Sequence, residues 1–269
     1  MDNNQRQKYW KTIFGIEWFK IDYKIKEFLY KTFGFTFPKL LSQKGYWTKR
    51  GKVYMQEIMS SGYIEREIFF QNLLIDFLKR HEFNSFFEAG CGFGWNIDRV
   101  QKEFPGKKVG GIDFSLSQLQ NSKDYLNRKP IAVVNGDNCK MPYKDDSFDV
   151  GFSLGVFMNI HPSKIQSALA EMVRVSKKFI IHIEYDETHT TEALRDKRKF
   201  KTNIISHDYN KLYEEMGLEQ IDFKTYEDFG PAYYEHQKRI KTTLDRWEGF
   251  EGAEKYIFIA FRLPQKSEV

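Results

Sequence analysis

The chain has 269 residues, of which 41% are hydrophobic and 29% are charged, and its formal net charge is +5. No apolar run approaches the ~20 residues that a membrane-spanning helix needs. Two cysteines, Cys91 and Cys139, are too few for a disulfide framework or a multi-cysteine zinc site. The polar opening MDNNQRQKYWK lacks the apolar core of a signal peptide, so we expect a cytoplasmic globular protein.

The first 52 residues differ from the rest of the chain in their charge. They contain twelve Lys or Arg residues against four Asp or Glu residues, a net charge of +8. Apolar residues recur every three or four positions over residues 10–33, which predicts one or two amphipathic helices. We therefore expect residues 1–62 to form a basic, aromatic helical segment ahead of a second domain, residues 63–269.

Short apolar runs alternate with helical patterns from residue 84 onward. This alternation predicts an α/β fold with a mainly parallel sheet and helices on both faces. The predicted strands cover residues 86–88, 108–113, 132–135, 148–153, 179–184, 220–226 and 255–262. The predicted helices cover residues 63–81, 95–103, 117–126, 163–175 and 209–216. Two stretches, at about 186–207 and 230–253, interrupt the alternation and are interpreted as insertions.

Three glycines, Gly90, Gly92 and Gly94, join the first predicted strand to the next helix. Alternate glycines let the backbone turn sharply, and free N–H groups at a helix start can bind an anionic group. The dinucleotide fingerprint would require glycine where Trp95 stands. Asp113 ends the next strand, where a carboxylate can accept both hydroxyls of a ribose. The polar turn at 135–138 follows the third strand and can read an adenine edge.

At these positions the chain resembles the class I S-adenosylmethionine (SAM)-dependent methyltransferases, over roughly residues 64–229. The matching motifs are E-A-G-C-G-F-G at 88–94, G-I-D-F at 111–114, G-D-N-C-K-M-P-Y at 136–143, D-D-S-F-D-V-G-F-S at 145–153 and E-M-V-R-V-S-K-K-F-I-I at 171–181. The resemblance implies a Rossmann-like sheet of seven strands, SAM as the cofactor and S-adenosyl-L-homocysteine as its product.

The resemblance also implies nine cofactor-binding residues at four strand ends. The methionine part would face Glu88, Gly90 and Gly92, the ribose would bind Asp113, the adenine would lie against Phe114, Asp137 and Asn138, and the sulfonium would lie beside Ser153 and Leu154. The motifs do not identify the acceptor; our own expectation is methyl transfer to an oxygen or nitrogen atom of a small molecule, such as a sugar or a lipid-linked metabolite.

The motifs do not include the catalytic or the acceptor-binding residues. An oxygen acceptor would need a base, for which His161 and Glu184 are the candidates, although His161 could instead bond its own helical turn. No clustered spacing suggests a metal site. We expect the acceptor pocket in the two insertions, where Tyr233 offers an aromatic face and Arg239 and Arg246 suit an anionic group.

The basic N-terminal segment leaves three alternatives open. Its helices could simply pack on the sheet domain, or Tyr46 and Trp47 could form a lid over cofactor and substrate. Its lysines, between positions 20 and 31, could also contact anionic lipid or RNA. RNA or protein methylation is therefore a second functional hypothesis, with nucleic acid not favoured, and a SAM-binding subunit without catalysis is a third. The sequence leaves the oligomeric state open.

Overall fold

The computed structural model describes residues 12–13, 16–35, 43–60, 63–127, 131–190, 192, 205–231, 233 and 256–264. Its strands are β1 (Thr12–Ile13), β2 (Ile16–Glu17), β3 (Ser85–Ala89), β4 (Lys108–Asp113), β5 (Ala132–Asn135), β6 (Phe148–Leu154), β7 (Ser176–Tyr185), β8 (Glu219–Lys224) and β9 (Tyr256–Arg262). Its α-helices are α1 (Trp18–Phe33), α2 (Gln43–Ser60), α3 (Tyr63–Lys79), α4 (Trp95–Glu103), α5 (Leu116–Tyr125), α6 (Pro162–Val175) and α7 (Tyr209–Glu214). Two 3-10 turns span Phe157–Asn159 and Tyr226–Phe229.

Strands β3 to β9 form one sheet in the order β5-β4-β3-β6-β7-β9-β8. The strands from β5 to β7 pair in parallel, and β9 runs antiparallel to both β7 and β8. This confirms the predicted Rossmann-like, mainly parallel fold. From β3 the chain adds β4 and then β5 on one side of the sheet. It then returns to the other side of β3 with β6, followed by β7. The carboxyl ends of β3 and β6 therefore flank the crevice where such sheets bind ligands.

The hydrophobic core lies on both faces of the sheet. One cluster joins α3, through Phe70 and Leu74, to β3 and β9, and the other joins α6, through Leu169 and Met172, to β7. Every residue of β3 is buried, as expected for a central parallel strand covered on both faces. The packed faces leave the carboxyl edge as the place where polar side chains converge.

The N-terminal part differs from its predicted form. The helix expected over residues 10–33 begins only at Trp18, after the short β1–β2 hairpin. Helix α2 was not predicted, because its sequence QKGYWTKRGKVYMQEIMS has two glycines and a weak apolar period. No described helix is both long and apolar enough to cross a membrane.

Candidate active site

The glycine loop between β3 and α4 requires a left-handed backbone. Gly90, Gly92 and Gly94 have φ values of 73°, 53° and 90°, which side chains with a Cβ rarely adopt. A Cβ at Gly90 would also lie 2.5 Å from the side chain of Val156, beyond the end of β6. The loop is thus packed directly against the β6 end, and it brings both sides of the crevice together.

Asp113 fixes this loop from the end of β4. Its Oδ2 accepts a hydrogen bond of 3.0 Å from the backbone N–H of Gly92, and its Oδ1 accepts one of 2.8 Å from the N–H of Ser115. Burial raises the pKa of Asp113 to about 6, although the two backbone hydrogen bonds oppose the shift. The carboxylate that the resemblance assigns to a ribose therefore also holds the loop and the start of α5.

Three buried acceptor atoms lie around the loop without a hydrogen-bond partner in the described structure. They are Glu88 Oε2, Asn96 Oδ1 and Gln118 Oε1. The other oxygen of Glu88 accepts from Asn96 Nδ2 at 2.6 Å, and a Cβ at Gly92 would lie 3.6 Å from Gln118 Nε2. Burial raises the pKa of Glu88 to about 8, and the nearby Asp113 charge adds to the shift. Unpaired buried acceptors cost free energy, so this set fits a ligand rich in donors, such as an ammonium group.

Two of the residues expected at the adenine, Asp137 and Asn138, form a turn after β5, and the third follows β4. Phe114 is half-buried, and Asn135 Nδ2 donates to the carbonyl of Asp113 at 2.9 Å. Asp137 is exposed, and its Oδ1 accepts from the N–H of Cys139 at 2.9 Å, while Asn138 is half-buried. The structure places this turn beside Asp113; its contact with an adenine stays a prediction.

Glu184, the last residue of its predicted strand, lies inside β7, which continues to Tyr185. Its carboxylate is fully buried and accepts from Ser153 Oγ and from the backbone N–H groups of Val156, Phe157 and Met158, at 2.7 to 3.1 Å. Burial raises the pKa of Glu184 to about 7 against these hydrogen bonds. Its contacts make it the residue that holds the turn after β6.

Ser153 belongs to the same buried network, which continues to α7. Its hydroxyl lies 2.7 Å from His182 Nδ1, and His182 Nε2 lies 2.7 Å from the hydroxyl of Tyr213. Burial lowers the pKa of His182 to about 3, so the ring is neutral. Since Ser153 donates to Glu184, His182 donates through Nδ1 to Ser153 and accepts from Tyr213. The Ser153 hydroxyl is engaged inside the protein, and Leu154 is half-buried beside it.

His161 is the N-cap of α6. Its Nδ1 accepts from the N–H of Ser163 at 3.1 Å, and the ring is half-buried. This is the helix-capping alternative that the sequence left open. It follows the Phe157–Asn159 turn and therefore stays near the carboxyl edge.

Helix α2 lies across the start of α5 and the glycine loop. Ser115 Oγ donates to the Trp47 carbonyl at 3.2 Å, and Ser117 Oγ donates to that of Thr48 at 2.7 Å. The ring of Tyr54 lies 5.6 Å from that of Trp47 and 6.4 Å from that of Phe93 in the loop. Tyr46 is exposed beside Trp47. The N-terminal segment is thus packed on the sheet domain at the place where a lid would act.

The two insertions are described only in part. The ends of 186–207 meet at the carboxyl edge, because Asp186 pairs with His207 and Ile205 N–H donates to the Met158 carbonyl at 2.7 Å. Tyr233 is buried, and its ring lies 4.6 Å from that of Phe69 in a core cluster. Arg239 and Arg246 lie outside the described residues.

A known domain family matches the centre of this fold. Residues 87–179 match the family described as Methyltransferase domain. That range runs from the middle of β3 into β7, and it includes the glycine loop, Asp113 and the β6 end. Residues 87–179 of this chain are therefore similar to a methyltransferase domain.

Proteins of similar sequence include methyltransferases. A 24-methylenesterol C-methyltransferase from Arabidopsis thaliana is 26% identical over 139 residues, which are 50% of this chain and 38% of that protein. A demethylmenaquinone methyltransferase from Staphylococcus aureus is 36% identical over 92 residues, 32% of this chain and 36% of that protein. The chain thus spans well under half the length of the curated relatives it matches.

Solved structures share the fold at low identity. Geranyl diphosphate C-methyltransferase from Streptomyces coelicolor, in complex with geranyl diphosphate and S-adenosyl-L-homocysteine, has a TM-score of 0.53 at 15% identity, covering 66% of this chain and 72% of that one. Phosphoethanolamine N-methyltransferase 2 from Haemonchus contortus, in complex with SAM, has a TM-score of 0.56 at 16% identity, covering 72% and 53%.

Proposed function

We propose that this chain transfers a methyl group from SAM to a lipid-like small molecule. The observation that carries the proposal is the buried Glu88 carboxyl, whose Oε2 has no partner within the described structure, next to a left-handed glycine loop held by Asp113. A purely structural turn has no use for unpaired buried acceptors. A ligand with an ammonium group and a ribose would pair them.

Each part of the site has a role in binding this cofactor. Glu88, with Asn96 and Gln118 beside it, would accept hydrogen bonds from the ammonium group of the methionine part. Gly90 and Gly92 would allow the methionine part to approach the backbone closely. Asp113 would accept the ribose hydroxyls. Phe114 would pack against the adenine, with Asp137 and Asn138 at its polar edge. Ser153 and Leu154 remain the residues proposed beside the sulfonium, Leu154 through its side chain and Ser153 through its backbone.

Methyl transfer needs alignment and a dry pocket more than it needs acid–base chemistry. When bound, SAM supplies a methyl group on a positively charged sulfur, which is already an activated leaving group. The chain would position the acceptor atom at ~3 Å from that methyl group. Helix α2, with Trp47 and Tyr54, would act as a lid that excludes water from the crevice. Glu184 would act by holding the Phe157–Asn159 turn in place, and His161 stays the candidate base for an oxygen acceptor.

The acceptor is proposed to be apolar over most of its surface. The sequence favours an oxygen or nitrogen atom as the methylated position. Carbon is a further candidate, because the relatives include C-methyltransferases of sterols and botryococcene. The ends of the 186–207 insertion at Met158 support an acceptor site over the β6 end. Arg239 and Arg246 are proposed to bind the acceptor, and Tyr233, which is buried in the core, is proposed to support the second insertion from below.

Two measurements test this function. Calorimetry should show SAM and S-adenosyl-L-homocysteine binding far more tightly than NAD or ATP, and Glu88→Gln should weaken SAM binding. Transfer from methyl-labelled SAM should then place label in the organic-solvent extract of a metabolite pool. Label found in RNA or protein would show that the acceptor is a macromolecule and not a lipid-like small molecule. Absence of SAM binding would refute the proposal as a whole.

A further inference from the structure

We propose that α1 docks this protein on an anionic lipid surface through an exposed apolar face. The proposal concerns a surface away from the cofactor crevice and stands whether or not the chain transfers methyl groups. It rests on the exposure of the α1 side chains, on the way the helix ends, and on the charge around it.

Large apolar side chains of α1 are exposed together with its charged ones. Ile25 is 50% exposed and Phe28 is 61% exposed, and the nearby side chains of Lys24 and Lys31 are 76% and 68% exposed. Large apolar side chains normally face the core, and charged ones face water. This arrangement is expected when the apolar face is covered by something other than the protein's own core.

The end of the helix extends this apolar face. Gly34 has a φ of 69° and its N–H donates to the Tyr30 carbonyl at 2.8 Å, which ends the helix in a left-handed turn. The turn brings Phe35 beside Phe33, with ring centroids 6.0 Å apart, and Phe33 lies 6.3 Å from Phe28. Phe33 is 59% exposed and Phe35 is 58% exposed. We call Ile25, Phe28, Phe33 and Phe35 the apolar ridge.

Basic side chains border the apolar ridge. Lys24 and Lys31 both pair with Glu27 at 2.9 Å, so two lysines share one carboxylate and positive charge remains. These pairs lower the pKa of Glu27. Residues 1–52 carry a net charge of +8, while the whole chain carries only +5, so the rest is slightly acidic.

An anionic lipid surface suits this combination better than RNA does. Lysines can extend to lipid headgroups while aromatic and aliphatic side chains enter the acyl boundary, which is the behaviour of interfacial amphipathic helices. The aliphatic side chain of Ile25, the first residue of the apolar ridge, offers RNA neither a stacking surface nor a hydrogen bond. Charge and shape together therefore favour lipid.

Vesicle flotation with the full chain tests the proposal. The wild-type protein should float with phosphatidylcholine vesicles that contain phosphatidylglycerol, at least about tenfold more than with phosphatidylcholine alone, because lysines near a charged surface add to binding. The variant Phe28→Glu/Phe33→Glu should lose flotation. Ile68→Glu, at an exposed apolar position on α3, should float like the wild type, and circular dichroism would check folding of each variant.

Several outcomes would overturn the proposal. These are equal flotation of Phe28→Glu/Phe33→Glu and wild type, no difference between charged and neutral vesicles, or tighter binding to single-stranded RNA than to vesicles. Self-association through the apolar ridge, seen as a larger mass in light scattering that Phe28→Glu/Phe33→Glu abolishes, would assign the face to a second copy instead. If the double variant does not fold, the milder Phe28→Gln should still lower flotation, and unchanged flotation would count against the proposal.

Discussion

The carboxylate of Asp113 and the backbone N–H of Gly92 are joined by a hydrogen bond of 3.0 Å across 21 positions of the sequence. This contact couples the end of β4 to the loop that follows β3. The affinity for a cofactor bound by Asp113 would therefore depend on the conformation of the glycine loop.

We predict that Asp113→Asn weakens SAM binding by about tenfold to a hundredfold, because it removes charge-assisted hydrogen bonds to the ribose. Asparagine keeps one acceptor oxygen, so the fold should persist while either Gly92 or Ser115 loses its partner. Calorimetry would measure the affinity. Asp124→Asn, at an exposed carboxylate on α5, is the control and should bind SAM like the wild type. Equal affinity in both variants would remove Asp113 from the site.

We predict that Glu88→Gln stabilises the ligand-free protein at about pH 8 and weakens its binding of SAM. Burial raises the pKa of Glu88 from 4.5 to about 8, so the folded chain keeps a proton that the unfolded chain releases. Stability therefore falls as pH rises between these two values, and glutamine avoids that loss. The melting temperatures of variant and wild type should converge at about pH 4.5.

Glu171→Gln is the control, and we expect it to have the opposite effect on stability. Arg174 lowers the pKa of Glu171 through its hydrogen bond, so the stabilisation is present at neutral pH and is lost as pH falls through the lowered value. Glu171→Gln should thus lower the melting temperature at neutral pH. A Glu88→Gln variant that is less stable than wild type at about pH 8 would contradict the assignment of an unpaired buried carboxyl.

We predict that Gly51→Ala displaces helix α2 without unfolding the sheet domain. Alanine favours a helix over glycine by about 1 kcal/mol, yet a Cβ at this position would overlap the Ser117 hydroxyl and approach that of Ser115 at 2.8 Å. SAM affinity and turnover should fall while the main thermal transition persists. Lys52→Ala, at the exposed neighbouring position, should change neither. Unchanged SAM binding in Gly51→Ala would make α2 a packing element only.

We predict that Glu184→Gln lowers the free energy of unfolding by about 1–3 kcal/mol, because glutamine keeps only one acceptor oxygen for the four donors that Glu184 satisfies. A carboxyl group that acts as a base would instead lower turnover and leave the melting temperature unchanged. Denaturant unfolding and turnover measured on the same variant separate the two roles. His161→Ala, measured in parallel, tests the other candidate base at a half-buried position.

We predict that the double variant Arg239→Ala/Arg246→Ala raises the KM of an anionic acceptor and leaves SAM affinity unchanged. The expectation follows from the sequence of the second insertion, whose basic and aromatic residues suit a ring with an anionic group. An acceptor found by the label-transfer screen is required for the assay. Unchanged KM would remove both arginines from the acceptor site.

The sequence predicted the sheet and the cofactor edge because both are encoded locally. Buried parallel strands appear as short apolar runs, and Gly90, Gly92 and Asp113 stand at strand ends where a turn or a ligand contact is needed. These features depend on neighbours within a few positions, and the alternation of strands and helices fixes their order. The predicted α/β fold was accordingly confirmed, with strand ends displaced by a few residues.

Tertiary contacts decided what the residues at that edge do. Glu184 stands in the sequence as one more acidic residue near a strand end, and only its contacts with residues 26 to 31 positions away show that it holds the turn after β6. Helix α2 has a weak apolar period of its own, and its place is set by hydrogen bonds from α5, which is about 70 positions away. Burial and hydrogen bonding between distant segments have no local period, so only the folded chain reveals them.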